Sequence, residues 1–590
     1  MTASGELAAG ARVAADVEWR RRLKAASLAL SPALAVLAVA VLLQARGSLT
    51  DDISWLITLS EKTLDGQRPY VDFIEVNPPA SIFLYVPAVA MARLLAVSPE
   101  FMVSLFCFLA IGASLALCAG ALRHTAAFKK AGPLGLASAV AVLAILPAHE
   151  FAQREHLAII AGLPLFAALA ARASGAEVGV GLRTLAALGA GVMVAIKPHF
   201  ALMIVATLPY FAWRVGWRSL VASLELYVVA AVCALYLTAI VVFFPEYIEK
   251  IAPLVVAVYV PARDPLLVLA EGVAVKVWCL FAGFLLVTAR RKIGDPLIAT
   301  LALASCGGLL VYLAQGKGWP YQSYPAIGLM ALALGLALSS DRRDVRQLVA
   351  SVGIFILLIA ATLIDLVVIN YLFFFALPLG VAAIALQALG ALSPRWRPVI
   401  ASLSELALAG VCAMAYLWFM EIHGASLWLL HLYPPSPLEQ AAATLKPHPT
   451  VLSITQRLEV GPPFARRIGG VWAQRVGALW LTSGARRIIA DSGDDPAVIA
   501  RMQPYLRLDR DMLIDDINRN RPDIVVISNR YGEYRNWAFA DPLIAAALAD
   551  YQLYASDDAA DGKTFLYARA SLIGLRPSLS DEAAGAGDAR

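Results

Sequence analysis

The pair Asp51–Asp52 opens an acidic segment that follows the first long apolar run of the chain. Thr50 is suited to cap a helix that starts with this pair, and Gly66 is suited to end it. The helix dipole favours ionised carboxylates in a first turn, and an ionised carboxylate can take a proton from an attacking hydroxyl. Asp51 and Asp52 are therefore candidate catalytic bases, although acidic residues also begin many ordinary helices. The apolar face of this predicted helix, which includes Leu56, predicts that it lies flat on a membrane surface.

A second polar stretch, HEFAQREHLAII, sets two histidines, two glutamates and one arginine at the boundary between two apolar runs. Ionisable side chains at such a boundary are costly, so they are usually paired or functional. The planar guanidinium of Arg154 matches the oxygens of a phosphate. His149, Glu150, Glu155 and His156 could in principle bind a metal, but their spacing matches no standard ligand motif. A salt-bridged loop anchor is the alternative interpretation of this stretch.

Two later stretches, AIKPHF and AQGKGWPYQSYP, each place a lysine in a break between apolar runs. Lys197 precedes a proline that interrupts the helix and leaves backbone groups in need of partners, and His199 follows that proline. Lys317 lies between two glycines, close to Trp319 and Tyr321. Both lysines are candidate ligands for an anionic headgroup. The alternatives are a lysine that extends toward the membrane surface and aromatic rings of an ordinary interfacial belt.

The composition around these stretches is that of a membrane protein. Of the 590 residues, 60% are hydrophobic and 15% are charged, and the mean hydropathy is +0.71. Soluble domains are less apolar, and apolar runs of about 20 residues match helices that cross about 30 Å of hydrocarbon. The net charge of +5 comes from short basic loops, which orient a membrane protein and do not indicate nucleic acid binding. The thirteen predicted spans are 24–45, 101–122, 131–147, 157–172, 184–196, 200–214, 219–244, 266–289, 296–314, 323–339, 347–368, 371–391 and 399–420.

Basic residues predict the orientation of these spans. Loops rich in arginine and lysine face the cytoplasm under the positive-inside rule, which also places the N-terminus there. The segment 46–78 and the connections His149–His156, Lys197–His199 and Gln315–Pro325 then lie on the opposite, periplasmic side. This count requires that the proline-interrupted run 79–96 lies at the interface, or dips in and returns.

The composition changes after Met420. Residues 421–576 are predicted to form a small periplasmic α/β domain, with PTVLSITQ, GALWLTSG, RPDIVVISNR and KTFLYAR as strands and with DMLIDDINRN and DPLIAAALADYQ as helical segments. The predicted organisation is a cytoplasmic tail over 1–23, a polytopic α-helical membrane domain of about thirteen helices over 24–420, and the α/β domain. The polar end 577–590 is predicted to be disordered.

The first polar segment carries a family resemblance. DDISW, DGQRPYVDF and EVNPPASIFLY resemble the first outer loop of polytopic GT-C glycosyltransferases, which opens on a paired acid and runs through an amphipathic helix to Gly-x-x-x-Tyr and Pro-Pro. The multi-span body with a periplasmic C-terminal domain is similar to the aminoarabinose transferases of lipid A, the protein O-mannosyltransferases and the rhizobial galacturonic acid transferases. The resemblance covers roughly residues 20–420. Asp52 departs from it, because many relatives have Glu at that position.

The resemblance implies an inverting transfer of a sugar from a polyprenyl-phosphate donor to a hydroxyl of an envelope lipid, glycan or protein, in the bacterial inner membrane. It implies no obligatory cofactor and at most a weak dependence on a divalent metal. Asp51 would be the general base, and Asp52 would orient it or the acceptor. Arg154, Lys197 and Lys317 would hold the donor phosphate, which leaves with negative charge. The residues implied to bind substrate are Arg68, Tyr70, Glu75, His149, Glu155, His156, His199, Trp319 and Tyr321.

Other classes of membrane protein remain as alternatives. A transporter or flippase of lipid-linked sugars also carries buried charges and broken helices, but this sequence has no clear internal repeat and its charges gather at one face. An O-antigen polymerase or ligase uses a related donor, and a non-catalytic partner subunit would keep a degenerate site. Replacing Asp51 by Asn separates these classes, because only the enzyme hypothesis predicts a loss of transfer with binding retained.

Overall fold

The computed structural model describes residues 27, 30–45, 50–288, 292–339, 436–530, 532–559 and 562–573. The helices of the first part, in chain order, are α1 Leu30–Ala45, α2 Asp51–Leu64, α3 Ala80–Phe83, α4 Val86–Leu95, α5 Pro99–Leu122, α6 Ala126–Ala144, α7 Arg154–Ala173, α8 Val180–Ile196, α9 Ala201–Val215, α10 Trp217–Val221, α11 Leu224–Phe243, α12 Ala252–Leu254, α13 Leu266–Glu271, α14 Val273–Thr288, α15 Pro296–Gln315 and α16 Tyr324–Ser339.

The later elements are α17 Pro437–Leu445, β1 Thr450–Ile454, α18 Pro462–Arg467, β2 Val471–Trp472, α19 Trp480–Asp491, α20 Pro496–Asn520, β3 Ile524–Ser528, α21 Tyr534–Ala540, α22 Pro542–Ala547, β4 Tyr551–Ala559, β5 Gly562–Arg569 and α23 Ala570–Ile573. Contacts divide the chain into two compact units. Among the described residues, the first unit holds those within 27–45, 104–234 and 264–339, and the second holds those within 50–103, 235–263 and 436–573.

Six helices in the described part of the chain are long and apolar enough to cross a membrane. They indicate a multi-pass membrane protein, as the composition predicts. They are α5, α6, α7, the stretch Trp217–Phe243 that joins α10 and α11, α15, and the stretch Pro320–Ser339 that consists of a short 3-10 turn and α16. The predicted spans 347–368, 371–391 and 399–420, the domain limits near 24, 420 and 577, and both predicted tails lie outside the described residues.

The run 79–96 is not one continuous helix. It forms the short helices α3 and α4, with Tyr85 between them and Pro87 in the first turn of α4. Proline lacks the N–H that a continuous helix would need there, so the chain restarts its helical bonding after the break. The predicted interruption is therefore observed, and both helices belong to the second unit.

In the first unit, α7 is buried at seventeen of its twenty residues. It packs against α8 and α15, and α15 packs against α9. Glycines permit the closest approaches: a Cβ on Gly189 would lie 2.4 Å from the Ala161 carbonyl oxygen, and one on Gly307 would lie 2.6 Å from Met203 Cα. In the bilayer the hydrophobic effect does not drive helices together, because the lipid tails are equally apolar. Small residues at the crossings let the helix backbones pack closely instead.

In the second unit, a five-stranded sheet has the order β2-β1-β3-β5-β4. The strands β2, β1 and β3 are parallel, whereas β5 is antiparallel to both β3 and β4. Strand β3 is buried at every position, and its Val525 and Ile527 share a core with Leu513 of α20. A strand buried on both faces reads as a continuous run of β-branched residues, which is why RPDIVVISNR was predictable as a strand.

The expected α/β character of the C-terminal region is confirmed, but several of its elements differ from the prediction. PTVLSITQ and KTFLYAR contain β1 and β5 as predicted, but GALWLTSG begins helix α19. The segment continues into ARRIIAD, and Leu481 and Ala485 are buried four residues apart, which is the spacing of one helix face. Strands β2 and β4 were not predicted. The segment DPLIAAALADYQ was predicted as helical throughout, but its helix α22 ends at Ala547 and β4 begins at Tyr551 within the segment.

Candidate functional site

Helix α2 carries the two candidate catalytic aspartates in its first turn. The Thr50 hydroxyl accepts a hydrogen bond from Ile53 N at 3.4 Å, and Gly66 follows the helix with a φ of +85°. The predicted cap and stop are therefore confirmed. Asp51 and Asp52 are half-buried.

The expectation that α2 lies flat on a membrane with one apolar face is wrong. Every residue from Ile53 to Ser60 is buried, so the helix is covered on all sides. Ser60 donates to the Leu56 carbonyl and lies 3.3 Å from the Ile82 carbonyl of α3, which shows that protein packs against its polar side as well. A helix that is buried all round is part of a core.

A buried network fixes the start of α2 to the loop that follows it. Trp55 donates its indole N–H to Glu75 across 2.8 Å, and Glu75 also accepts from the backbone N–H of Asn77 at 3.0 Å. The Tyr70 hydroxyl donates to the Asn77 carbonyl at 2.8 Å. Because Glu75 and Tyr70 are both buried, the structure places them as parts of the loop's own packing.

Tyr70 lies in an aromatic environment with unusual backbone. Its φ is +67°, a conformation that costs a non-glycine residue energy, and its ring centroid is 5.0 Å from that of Tyr247. Burial, with a smaller contribution from Glu75, raises the pKa of Tyr70 well above its ordinary value. The neighbouring Arg68 is different, because its side chain is 68% exposed and donates to Glu246 at 2.8 Å.

The same segment docks on the C-terminal region, a feature that sequence reasoning missed. Arg466 of α18 donates to Glu61 at 2.6 Å and to Glu100 at 2.7 Å, and its side chain is 14% exposed. Lys62 donates to the Gln474 carbonyl at 3.1 Å, and its burial lowers its pKa to about 8. The loop backbone joins as well, since Ile74 N–H donates to the Arg475 carbonyl at 2.8 Å.

In the first unit, three of the predicted polar stretches meet around one ammonium group. Lys197 donates to Glu155 at 2.5 Å and to the side-chain oxygen of Gln315 at 3.2 Å. The side chains of Lys197 and Glu155 are 6% and 0% exposed, so this ion pair is buried. The residues come from the start of α7, the connection between α8 and α9, and the end of α15.

An imidazole and two aromatic rings border this cluster. Burial lowers the pKa of His199 to about 4, and the nearby Lys197 ammonium adds to the decrease, so the ring is neutral at pH 7. The Lys197 ammonium lies 5.6 Å from the centroid of the Tyr321 ring, within the range of a cation–π contact. Trp319 and Tyr321 have ring centroids 5.8 Å apart.

The second polar stretch is locally strained and mostly buried. Ala148 and Ala152 have φ values of +50° and +66°. His156 is fully buried; its Nδ1 accepts from the Ala152 N–H at 3.0 Å, which leaves Nε2 to donate to the Leu143 carbonyl at 2.7 Å. Arg154 is buried at the first position of α7.

The remaining predicted residues lie nearer the surface. His149 and Lys317 are half-buried, and Trp319 is 41% exposed. Asp51, Asp52, Arg68, Tyr70 and Glu75 belong to the second unit, whereas the other predicted site residues belong to the first. Their proposed shared role stays a prediction.

The opposite end of α7 carries a separate charge cluster. Glu225 is fully buried and accepts from Arg172 at 2.9 Å and from Arg183 at 2.8 Å. From Glu155 to Arg172 a helix rises about 26 Å, close to the hydrocarbon thickness. Arg172 and Arg183, which come from one of the basic loops, therefore lie at the other end of α7 from Lys197 and its partners.

Metal-binding geometry does not occur in the described part of the chain: no group of three or more His, Cys, Asp or Glu side chains there could hold a metal ion.

Comparisons with known proteins give two structural likenesses. No family model and no curated protein matches the chain. ArnT from Cupriavidus metallidurans bound to undecaprenyl phosphate is 17% identical, with 91% of this chain and 98% of that chain covered and a TM-score of 0.49. The archaeal oligosaccharyltransferase AglB from Archaeoglobus fulgidus, in complex with an inhibitory peptide and a dolichol-phosphate, is 13% identical, with 90% and 74% covered and a TM-score of 0.36. With TM-scores below 0.5, neither likeness assigns an activity to this chain.

Proposed function

We propose that this chain is an inverting glycosyltransferase that moves a sugar from a polyprenyl-phosphate donor to a hydroxyl of an envelope lipid, glycan or protein. The reaction takes place at the periplasmic face of a bacterial inner membrane. The observation that carries this proposal is the buried cluster around Lys197, because three polar connections, separate in sequence, converge at one end of the apolar helices. Buried charge at such a place is costly and marks a binding site more often than a structural anchor.

In the proposed step, an acceptor hydroxyl oxygen attacks C1 of the sugar from the face opposite the phosphate. The C1–O bond to phosphate breaks, and its electron pair leaves with the polyprenyl phosphate. Asp51 takes the hydroxyl proton, and Asp52 orients Asp51 or the acceptor. No metal ion is used in this step.

The departing phosphate needs positive charge nearby, since stabilising charge that develops in the transition state is usually the largest source of rate. Arg154, Lys197 and Lys317 are the proposed sources. We propose that Arg154 and Lys317 make most of the phosphate contact.

The test uses the full chain in detergent with synthetic polyprenyl-phosphate sugars and an envelope extract as acceptor. Asp51→Asn should lower turnover by about a hundredfold or more, the range expected for loss of a general base, while binding of the donor lipid persists. Asp65→Asn is the matched control, because Asp65 lies just beyond the other end of the same helix and its side chain is 57% exposed.

Full turnover of the Asp51→Asn variant would contradict the assigned base. Transport of the lipid without transfer by the native chain would instead identify a flippase. Accumulated polyprenyl-phosphate sugar in a deletion strain, together with an under-decorated envelope polymer, would identify the donor and the acceptor.

A further inference from the structure

The cluster around Lys197 pairs one ammonium with one carboxylate. Its ammonium donates to Glu155 Oε1 at 2.5 Å and to Gln315 Oε1 at 3.2 Å, and it faces the Tyr321 ring. A carboxylate beside the ammonium offsets much of the attraction that the ammonium has for a second anion. The cluster as a whole is therefore poorly suited to hold a phosphate by charge.

The same groups leave three buried polar atoms open. Glu155 Oε2, Gln315 Nε2 and His199 Nε2 have no hydrogen-bond partner among the described residues. Two of these atoms share a carboxyl or amide group with an oxygen that Lys197 holds, so they lie beside the ammonium. In native proteins, most buried polar atoms without a protein partner form a hydrogen bond with a ligand or an ordered water.

Their hydrogen-bonding character indicates what would complete them. The carboxylate oxygen only accepts, the amide nitrogen only donates, and the neutral imidazole nitrogen does one or the other. A phosphate offers only acceptors and would face Glu155 unfavourably, whereas an ammonium offers only donors and would leave Gln315 unmatched. A hydroxyl group both donates and accepts a hydrogen bond. Neighbouring hydroxyls on one sugar ring can therefore supply a partner to each of the three atoms.

We propose that Glu155, Gln315 and His199, held around Lys197, bind hydroxyl groups of the donor's sugar and so determine which sugar is accepted. The inference rests on the proposed function and assigns this cluster to the sugar, leaving the phosphate to other cations. The exposed ring of Trp319 beside Tyr321 adds an apolar face at the edge of the cluster, against which a sugar ring can pack.

The experiment compares two probes by direct binding to the full chain in detergent. One probe is sugar-free polyprenyl phosphate, and the other is a set of polyprenyl-phosphate hexoses that includes monodeoxy versions. The measured quantity is the ratio of the two dissociation constants, which reports the sugar alone and does not require turnover.

A pair of reciprocal variants separates hydrogen bonding from charge. Glu155→Gln replaces the accepting oxygen by a donor, and Gln315→Glu makes the opposite change. The double variant Glu155→Gln/Gln315→Glu keeps one carboxylate and one amide on Lys197 but inverts the pattern that faces the sugar. Glu225→Gln is the control, since Glu225 is an equally buried, ion-paired carboxylate at the other end of α7.

Glu155→Gln should weaken binding of the hexose lipid about tenfold and change binding of the bare lipid less than about twofold, the effect of one lost hydrogen bond to a charged group. The double variant should recover the thermal stability of the native chain but not its preference among deoxy sugars. Equal losses for both probes, or full recovery of sugar preference in the double variant, would overturn the inference while the proposed function stands. If the native chain bound neither lipid, both this inference and the proposed function would be overturned.

Discussion

Arg466 and Glu61 form a 2.6 Å ion pair that ties the C-terminal α/β region to the helix bearing the candidate catalytic aspartates. The same guanidinium reaches Glu100 at 2.7 Å and lies 3.5 Å from the Thr58 hydroxyl. This one side chain of α18 therefore binds both helix α2 and the first turn of α5. The C-terminal region is a structural support for the first polar segment.

The first prediction concerns this contact. Arg466→Gln should destabilise the second unit by about 2 kcal/mol, between the values for exposed and buried ion pairs, because Glu61 and Glu100 keep some access to water. Chemical denaturation of the full chain in detergent measures the change. Arg521→Gln is the control, because Arg521 and Asp550 form an exposed pair at 3.5 Å whose loss should cost under about 1 kcal/mol. Equal losses in the two variants would show that Arg466 is not a special support.

The second prediction concerns the indole–carboxylate bond at the start of α2. Trp55→Phe keeps most of the ring but removes the donor to Glu75, whose buried oxygen then loses a partner at a cost of about 1–3 kcal/mol. A double-mutant cycle with Glu75→Gln should give a coupling energy of about 1 kcal/mol. Additive effects would mean that the bond contributes nothing to stability.

The third prediction concerns helix packing in the first unit. Gly307→Ala places a Cβ 2.6 Å from the Leu202 carbonyl oxygen and from Met203 Cα, and backbone atoms yield only if α15 moves away from α9. We expect a loss of about 1–3 kcal/mol, the usual cost of overpacking. Gly112→Ala is the matched control, because among the described residues no atom outside its own helix backbone and chain neighbours lies within 4 Å of the added Cβ. A thermal scan that ranks Gly112→Ala as equally damaging would contradict this packing.

The local features of α2 could be predicted from sequence, whereas its surroundings could not. The Thr50 cap and the Gly66 turn are encoded within a few residues, so their signals survive in the sequence. The cover over the polar side of the helix comes partly from Arg466, some four hundred positions later. No local pattern signals that partner, so an amphipathic surface helix was the natural but wrong prediction.

The candidate site shows the same division. The alternation of basic and polar loops was enough to group the stretches around Lys197, Glu155 and Gln315 at one end of the helices. The ion pair between Lys197 and Glu155 depends on the packing of α7 against α8. The order of the loops along the sequence gives no information on that packing. The family resemblance implied that Glu75 binds substrate. In the structure Glu75 accepts a hydrogen bond from the Trp55 indole, a contact that the sequence does not reveal.

The last prediction concerns a buried carboxyl in the second unit. Asp509 of α20 is 1% exposed, and burial raises its pKa to about 6 despite the hydrogen bond that it accepts from Thr482 N at 2.8 Å. Between about pH 4 and 6 the folded chain keeps this proton while the unfolded chain loses it, so the free energy of unfolding should fall as pH rises, by at most about 3 kcal/mol. Asp509→Asn can still accept from Thr482 but cannot ionise, so it should lack this fall and be more stable than the native chain at pH 7. Denaturation of both proteins at pH 4, 5, 6 and 7 measures the difference, and parallel stability curves would show that Asp509 does not hold its proton in the folded state.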